Sequence, residues 1–117
     1  MSYDLAFWKT SQKMNIPNHR IYEILSGGGH VDGLCEIPCG DIIKDMRQAF
    51  ADWYIHGNEY EKMDGQYFEV TYTNQFFRVD SYGVTVDELN RIMDVLAKYG
   101  CPVYDASIDV RFDEWSQ

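Results

Sequence analysis

The sequence predicts an α+β domain in which a mainly antiparallel sheet of four to five strands carries about three helices packed on one face. Two kinds of hydrophobic periodicity predict this class. Apolar residues recur at helical spacing in three segments and alternate with polar residues in the segments around them. The resulting order is β-α-α-β-β-α-β with a short closing strand. A chain of 117 residues fits a single domain over 1–117.

The first two predicted elements are a strand and a short helix. In residues 3–8, Tyr3, Leu5 and Phe7 alternate with Asp4, Ala6 and Trp8. This alternation is typical of a strand with one buried face. Pro17 can begin a helix over residues 18–25. The glycine run 27–29 then ends that helix.

A second helix is predicted over residues 41–54. Its apolar residues follow the i, i+4, i+7, i+8, i+11 spacing of an amphipathic helix: Ile42, Met46, Ala49, Phe50 and Trp53. Asp41 near its start complements the helix dipole, and Gly57-Asn58 is expected to stop it.

A β-hairpin comes next. The period changes to two in residues 67–72 and again in residues 76–80, on either side of Thr73-Asn74-Gln75. These three residues are not the strongest hairpin turn sequence, but the alternation on both sides predicts the pairing.

The last predicted elements are a helix and the closing strands. Thr85 and Glu88 form the T-x-x-E pattern of a capping box at the start of this third helix. Gly100 and the proline after Cys101 end it. Residues 103–105 and 108–112 then alternate as closing strands.

With the helices on one side, the opposite sheet face is left to polar and aromatic side chains. The alternation assigns six residues to this face: Asp4, Trp8, Glu69, Arg78, Asp80 and Tyr82. Two interpretations of the face stay open. It is a binding face, or it is a solvated face with cross-strand pairs such as Glu69 with Arg78.

The net charge is -9, and it is unevenly distributed. Residues 1–58 hold seven acids and five bases, whereas residues 59–117 hold twelve acids and five bases. So acidic a surface repels phosphates, which argues against direct nucleic-acid binding and against anionic membranes. It attracts cationic protein surfaces.

The sequence shows no targeting or membrane segment. Its N-terminal residues lack a cationic region followed by an apolar run, and its apolar stretches are only a few residues long. Three cysteines, an odd number, favour reduced thiols. We therefore expect a cytoplasmic protein.

The cysteines and histidines define the alternative function class. Cys35 and Cys39 have C-x3-C spacing, and with His30 and Cys101 they could supply four soft ligands for zinc. No second paired knuckle accompanies them, and free cysteine usually packs as a small hydrophobe. The alternative is therefore a small metal-dependent or Cys/His-based enzyme or regulator. The main prediction is a non-enzyme with no metal and no cofactor.

The segment 56–67 is the predicted contact loop for a protein partner, because it carries three acids, two tyrosines and two glycines. Carboxylates favour fast association with a basic partner, and tyrosine offers a large contact area at low entropic cost. A plain solvated loop is the other interpretation. The predicted partner-binding carboxylates are Glu59, Glu61, Asp64, Glu69 and Asp80. The predicted aromatic anchors are Trp8, Tyr60, Tyr67 and Tyr82.

Three segments resemble a known kind of protein: the opening Met1-Ser-Tyr-Asp-Leu-Ala-Phe-Trp8, Tyr82-Gly83 before the capped helix, and Tyr99-Gly-Cys-Pro-Val-Tyr-Asp105. They are similar to small acidic bacterial proteins encoded beside polymorphic toxins, including immunity proteins of contact-dependent growth inhibition systems. This resemblance implies an inhibitor that neutralises one cognate toxin domain, often a basic nuclease, by covering its active site or a neighbouring surface. It carries over no individual site residue.

The charge and the resemblance together predict an immunity protein. It would bind and neutralise a cationic toxin domain by steric and electrostatic occlusion, with no direct contact to nucleic acid or membrane. The oligomeric state and the toxin's reaction stay open.

Overall fold

The computed structural model describes residues 2–113, which form three helices and one seven-stranded sheet. The elements are β1 (Ser2–Phe7), α1 (Asn18–Ser26), α2 (Cys39–Ala49), β2 (Tyr54–His56), β3 (Glu59–Glu61), β4 (Tyr67–Thr73), β5 (Phe76–Tyr82), α3 (Val86–Ala97), β6 (Val103–Asp105) and β7 (Val110–Arg111). The strand order is β2-β3-β4-β5-β1-β6-β7, and all neighbours are antiparallel. The α+β class is confirmed, with more strands than the four to five predicted.

The two additional strands are β2 and β3, which form a hairpin over residues 54–61. The apolar spacing predicts a helix and then a loop for this stretch, and that prediction is wrong. Gly57 takes the first turn position with a φ of 60°, a left-handed conformation that glycine adopts without strain. The Gly57-Asn58 pair therefore reverses a hairpin and does not stop a helix.

The helix before this hairpin is shorter than its apolar pattern. α2 ends at Ala49, and Phe50 and Trp53 follow it in a turn closed by the Trp53 N–H donating to the Phe50 carbonyl at 2.9 Å. Both rings are nonetheless buried, with centroids 5.3 Å apart. The apolar spacing therefore continues into the turn because the same core receives both side chains.

The helices lie on both faces of the sheet, which corrects the prediction that all three share one face. Leu5 and Phe7 of β1 pack in a core with α2 and α3, whereas Ala6 and Trp8 pack in a second core with α1. Because successive side chains of a strand point to opposite faces, α1 covers the face opposite α2 and α3. We call the face under α2 and α3 the inner face and the other the outer face.

The β4–β5 turn has an unusual composition because one of its residues anchors a distant loop. Gln75 is buried; its Oε1 accepts from the Val31 N–H at 3.0 Å, and its Nε2 donates to the Val31 carbonyl at 3.0 Å. The Ile37 N–H donates to the Asn74 carbonyl at 2.8 Å. The residues of this turn are therefore explained by the hydrogen bonds they make to the segment between α1 and α2, and not by hairpin turn preference.

The capping box that begins α3 is formed as predicted on its threonine side. The Thr85 hydroxyl accepts a hydrogen bond from the Glu88 N–H at 3.3 Å. The Glu88 carboxylate instead accepts from Lys62 Nζ at 3.1 Å. Within residues 2–113, neither α3 nor another helix has the length and apolar character needed to cross a membrane.

Candidate protein-binding face

The candidate site is the part of the outer sheet face that α1 leaves uncovered. α1 packs over Ala6, Phe76 and Tyr104, which lie at one end of β1, β5 and β6. The alternation and the strand register place eleven further outer-face side chains beyond this cover, and none of them is buried. We call these residues the open face: Asp4, Tyr54, His56, Glu59, Glu61, Tyr67, Glu69, Thr71, Arg78, Asp80 and Tyr82.

Four carboxylates of the open face form a continuous row across four strands. The register sets Glu59 opposite Glu69, and Glu69 opposite Asp80. Asp80 in turn lies opposite Asp4 of β1. We call these four residues the carboxylate row. Like charges directly opposite each other on neighbouring strands are destabilising, so all three contacts in the row oppose folding.

A second row, two residues along the strands, is rich in tyrosine. Tyr54 lies opposite Glu61, Glu61 opposite Tyr67, and Tyr67 opposite Tyr82. The Tyr67 and Tyr82 rings have centroids 5.7 Å apart, and Tyr54 and Tyr82 are 61% and 46% exposed. This tyrosine row places exposed aromatic area beside the carboxylates.

The groups around the carboxylate row compensate its charge only in part. The Tyr67 hydroxyl donates to Glu59 Oε1 at 3.0 Å and also lies 3.3 Å from Glu69 Oε2. Burial and then these acceptors raise the pKa of Tyr67, so the phenol keeps its proton. Arg78 Nη2 donates to Asp80 Oδ2 at 3.1 Å. The open face thus holds five carboxylates and a single arginine.

Asp4 is affected both by burial and by the neighbouring acid of the row. Burial raises the pKa of its carboxyl group, and the charge of Asp80 and a hydrogen bond to Asp80 raise it further. Arg78 acts in the opposite direction. The negative charge of Asp4, at the β1 end of the row, is therefore disfavoured in the folded protein.

The predicted pair of Glu69 with Arg78 is not formed as a direct cross-strand pair. The residue opposite Arg78 on β4 is Thr71, and Glu69 lies opposite Asp80. Arg78 instead bonds Asp80, two residues along its own strand. The pairing that would have neutralised the face is therefore replaced by a contact between acids.

Six of the nine predicted partner-binding residues lie together on the open face: Glu59, Glu61, Tyr67, Glu69, Asp80 and Tyr82. Asp64 lies apart from both rows, in the turn between β3 and β4, where it accepts from the Gln66 N–H at 3.2 Å. It is exposed there.

Trp8 and Tyr60 are corrections, because both are fully buried and cannot anchor a partner. Trp8 lies under α1, with its ring centroid 5.2 Å from that of Tyr104. Tyr60 points to the inner face and stacks on Phe68 at 4.5 Å. Tyr60 alternates with Glu59 and Glu61, so once β3 is a strand the tyrosine and the acids must face opposite ways.

Sequence reasoning did not select Tyr54, because the predicted helix concealed β2. It includes His56 only as the first residue of the predicted contact loop 56–67. The alternation places Asp4 and Arg78 on the correct face, although the predicted binding set contains neither. The signal that could have found β2 is Gly57-Asn58, a possible two-residue hairpin turn, between Tyr54-Ile55 and the alternating Glu59-Tyr60-Glu61.

Cys39 and Cys101 pack with the inner core. Burial raises the pKa of Cys39 and raises that of Cys101 to about 11, so both stay protonated near neutral pH. Cys39 Sγ donates to the Thr73 carbonyl at 3.0 Å, and His30 pairs with Asp32 in an exposed loop. Since the thiolate is the nucleophile and the metal ligand, these features do not favour the Cys/His alternative. Among residues 2–113, no group of three or more His, Cys, Asp or Glu side chains is placed to hold a metal ion.

Comparisons of the chain with protein-family models, with curated proteins and with solved structures gave no match. The geometry of the open face therefore carries the functional interpretation. An open depression of about 560 Å³ lies at the edge of β4 beside the carboxylate row, lined by Asn58, Glu59, Glu69, Val70, Thr71 and Tyr72.

Proposed function

We propose that this protein is a non-enzymatic inhibitor, an immunity protein that neutralises a cationic toxin domain by binding it through the open face. The observation that carries the proposal is the carboxylate row on an uncovered sheet face. A row of directly opposed acids lowers stability, and opposite charges at the same positions would raise it. When a cationic partner binds, its positive charges attract the same carboxylates that repel one another in the free protein.

The composition of the open face suits a protein partner. Tyrosine is enriched at the anchor positions of interfaces, and the tyrosine row runs beside the carboxylates. The acids would supply orientation and a fast association rate, while Tyr54 and Tyr82 would supply buried area. The resemblance to acidic immunity proteins supports the same class of partner.

The mechanism is occlusion. Lysines and arginines that a nuclease toxin uses for RNA or DNA phosphates would pair with Glu59, Glu69 and their neighbours. The inhibitor would then hold the toxin's cationic surface away from its substrate. Because the attraction is electrostatic, the association rate should fall as salt is added.

The test compares matched charge reversals on the two sides of the molecule. The protein is co-expressed with the domain encoded beside it, and one-to-one complex formation, affinity and relief of growth inhibition are measured. Glu59→Lys reverses an exposed acid of the carboxylate row. Asp94→Lys reverses an exposed acid of α3, which packs on the inner face.

Glu59→Lys is expected to weaken the complex by roughly tenfold or more and to reduce its dependence on salt. Asp94→Lys should bind within about twofold of the unmodified protein, because long-range charge effects alone are screened. Equal loss in the two variants would mean that only net charge matters. That result, or full binding by Glu59→Lys, would refute the open face as the binding surface.

A further inference from the structure

The open face has the width of one α-helix. It consists of three rows that run across the strands and are spaced along them. These are the tyrosine row, the carboxylate row, and the pair of Thr71 and Arg78. Alternate residues of a strand lie about 6.8 Å apart, so the outer rows are separated by about 14 Å. A helix with its side chains has a diameter of about 10–12 Å. One helix fills this strip, and two do not fit.

The length of the strip also matches a helix. The carboxylate row, extended by His56 of β2, crosses five strands from β2 to β1. Four intervals of about 4.8 Å give about 19 Å. That is about 13 residues of helix at 1.5 Å per residue. The outer face already carries one helix, α1, beside this strip.

The spacing of the four carboxylates distinguishes a helix from an extended segment. Three intervals between strands span about 14 Å. Basic residues on one face of a helix repeat about every 5.4 Å, or about 16 Å over three turns. Alternate residues of an extended segment repeat every 6.8 Å, or about 20 Å over three steps. Flexible lysine and arginine side chains absorb the smaller mismatch more easily.

We propose that the open face receives one basic amphipathic α-helix of the partner, laid across the strands of the sheet, with one lysine or arginine per turn facing the carboxylate row. The partner's apolar side chains on the neighbouring stripe of that helix pack on Tyr54, Tyr67 and Tyr82. This inference rests on the proposed function and adds the structural class of the element that is bound.

Three labelled peptides of about 15 residues test the geometry, all alanine-based and with four lysines each. The first places the lysines at i, i+4, i+7 and i+11, on one helical face. The second has the same composition with the lysines distributed around the helix. The third carries the lysines at alternate positions and contains two prolines, which keep it extended. Circular dichroism checks the helicity, and NMR titration of the amides gives affinity and footprint at low salt.

The one-faced helical peptide is expected to bind at least about fivefold more tightly than either of the others. Its footprint should cover amides of β3, β4, β5 and β1. Glu59→Lys should remove this preference, and Asp94→Lys should keep it. Equal affinity of the three peptides, tighter binding of the extended peptide, or a footprint on α2 and α3 would each overturn the helix inference.

The two proposals can fail separately. If the peptides show no preference while the toxin domain still loses affinity with Glu59→Lys, the helix inference falls and the binding face stands. If Glu59→Lys leaves the toxin domain bound as tightly as before, the proposed function fails at this face, and the helix inference falls with it.

Discussion

Replacing Asp4 by asparagine should stabilise the free protein, although it removes a native side chain. Asp4 lies directly opposite Asp80, and burial and the charge of Asp80 raise its pKa. Asparagine has nearly the same shape and keeps a hydrogen-bonding oxygen, but it carries no charge. The change therefore removes one of the three acidic contacts in the carboxylate row with little disturbance of packing.

The magnitude follows from the register. Side chains directly opposite in an antiparallel pair lie about 5 Å apart, and two unit charges at 5 Å repel by about 0.8 kcal/mol in water. Arg78 offsets part of this repulsion, whereas the partial burial of Asp4 strengthens it. We expect Asp4→Asn to raise the free energy of unfolding by about 0.5–1 kcal/mol. For a chain of this size, that corresponds to about 2–4 °C in Tm.

The raised pKa of Asp4 fixes the direction in which stability changes with pH. Because the folded pKa of Asp4 is raised, the folded protein binds the Asp4 proton more tightly than the unfolded chain does. Stability is therefore lost as the pH rises through the ordinary carboxyl range and the raised folded pKa, and the deficit persists at neutral pH. The advantage of Asp4→Asn should be absent below the ordinary carboxyl pKa and complete at pH 7.

Urea denaturation between pH 3 and pH 8 measures this difference, with Asp52→Asn as the control. Asp52 is exposed and lies in the turn before β2, outside the carboxylate row. The control should change stability by less than about 0.5 kcal/mol. If Asp4→Asn is no more stable than the unmodified protein at pH 7, or if its advantage does not vary with pH, the cost assigned to the row is refuted.

Three further predictions concern the packing that supports the open face. Gln75→Leu should lower the free energy of unfolding by about 2–4 kcal/mol in urea titration, because it leaves the buried Val31 N–H and carbonyl without partners. Tyr60→Ala should cost about 3–5 kcal/mol by the same assay, whereas Tyr82→Ala should cost little stability and weaken the complex. If the two tyrosines exchanged these effects, the assigned sheet faces would be wrong. Thr85→Ala should cost about 1 kcal/mol through loss of the α3 cap, with an unchanged binding affinity; unchanged stability would contradict the cap.

Strong local patterns predicted most of the fold. The alternation of residues 67–72 and 76–80 gave β4 and β5, and T-x-x-E gave the start of α3. These patterns predict the elements correctly because the residues that form each pattern also make the contacts that stabilise the element. Alternation along the predicted strands also places Asp4, Glu69, Arg78, Asp80 and Tyr82 on one sheet face, which accounts for five of the eleven open-face residues.

The failures have tertiary causes. Phe50 and Trp53 continue a helical spacing only because the core receives them from a turn, and this concealed β2. The side of the sheet that α1 covers depends on how the chain crosses from β1, which no local spacing records. The carboxylate row itself depends on the register between β3, β4, β5 and β1, which only the pairing of distant strands fixes.

β1 lies between β5 and β6 in the sheet, although it is the first strand of the chain. Its pairing residues follow about 70 to 100 positions later. Contacts so distant in sequence form slowly, because the intervening chain must first be ordered. At about 5–20 residues per second of synthesis, several seconds pass between the synthesis of Asp4 and that of Asp80, which lies opposite it. A growing chain on the ribosome therefore lacks a complete carboxylate row until β5, which ends at Tyr82, has been made.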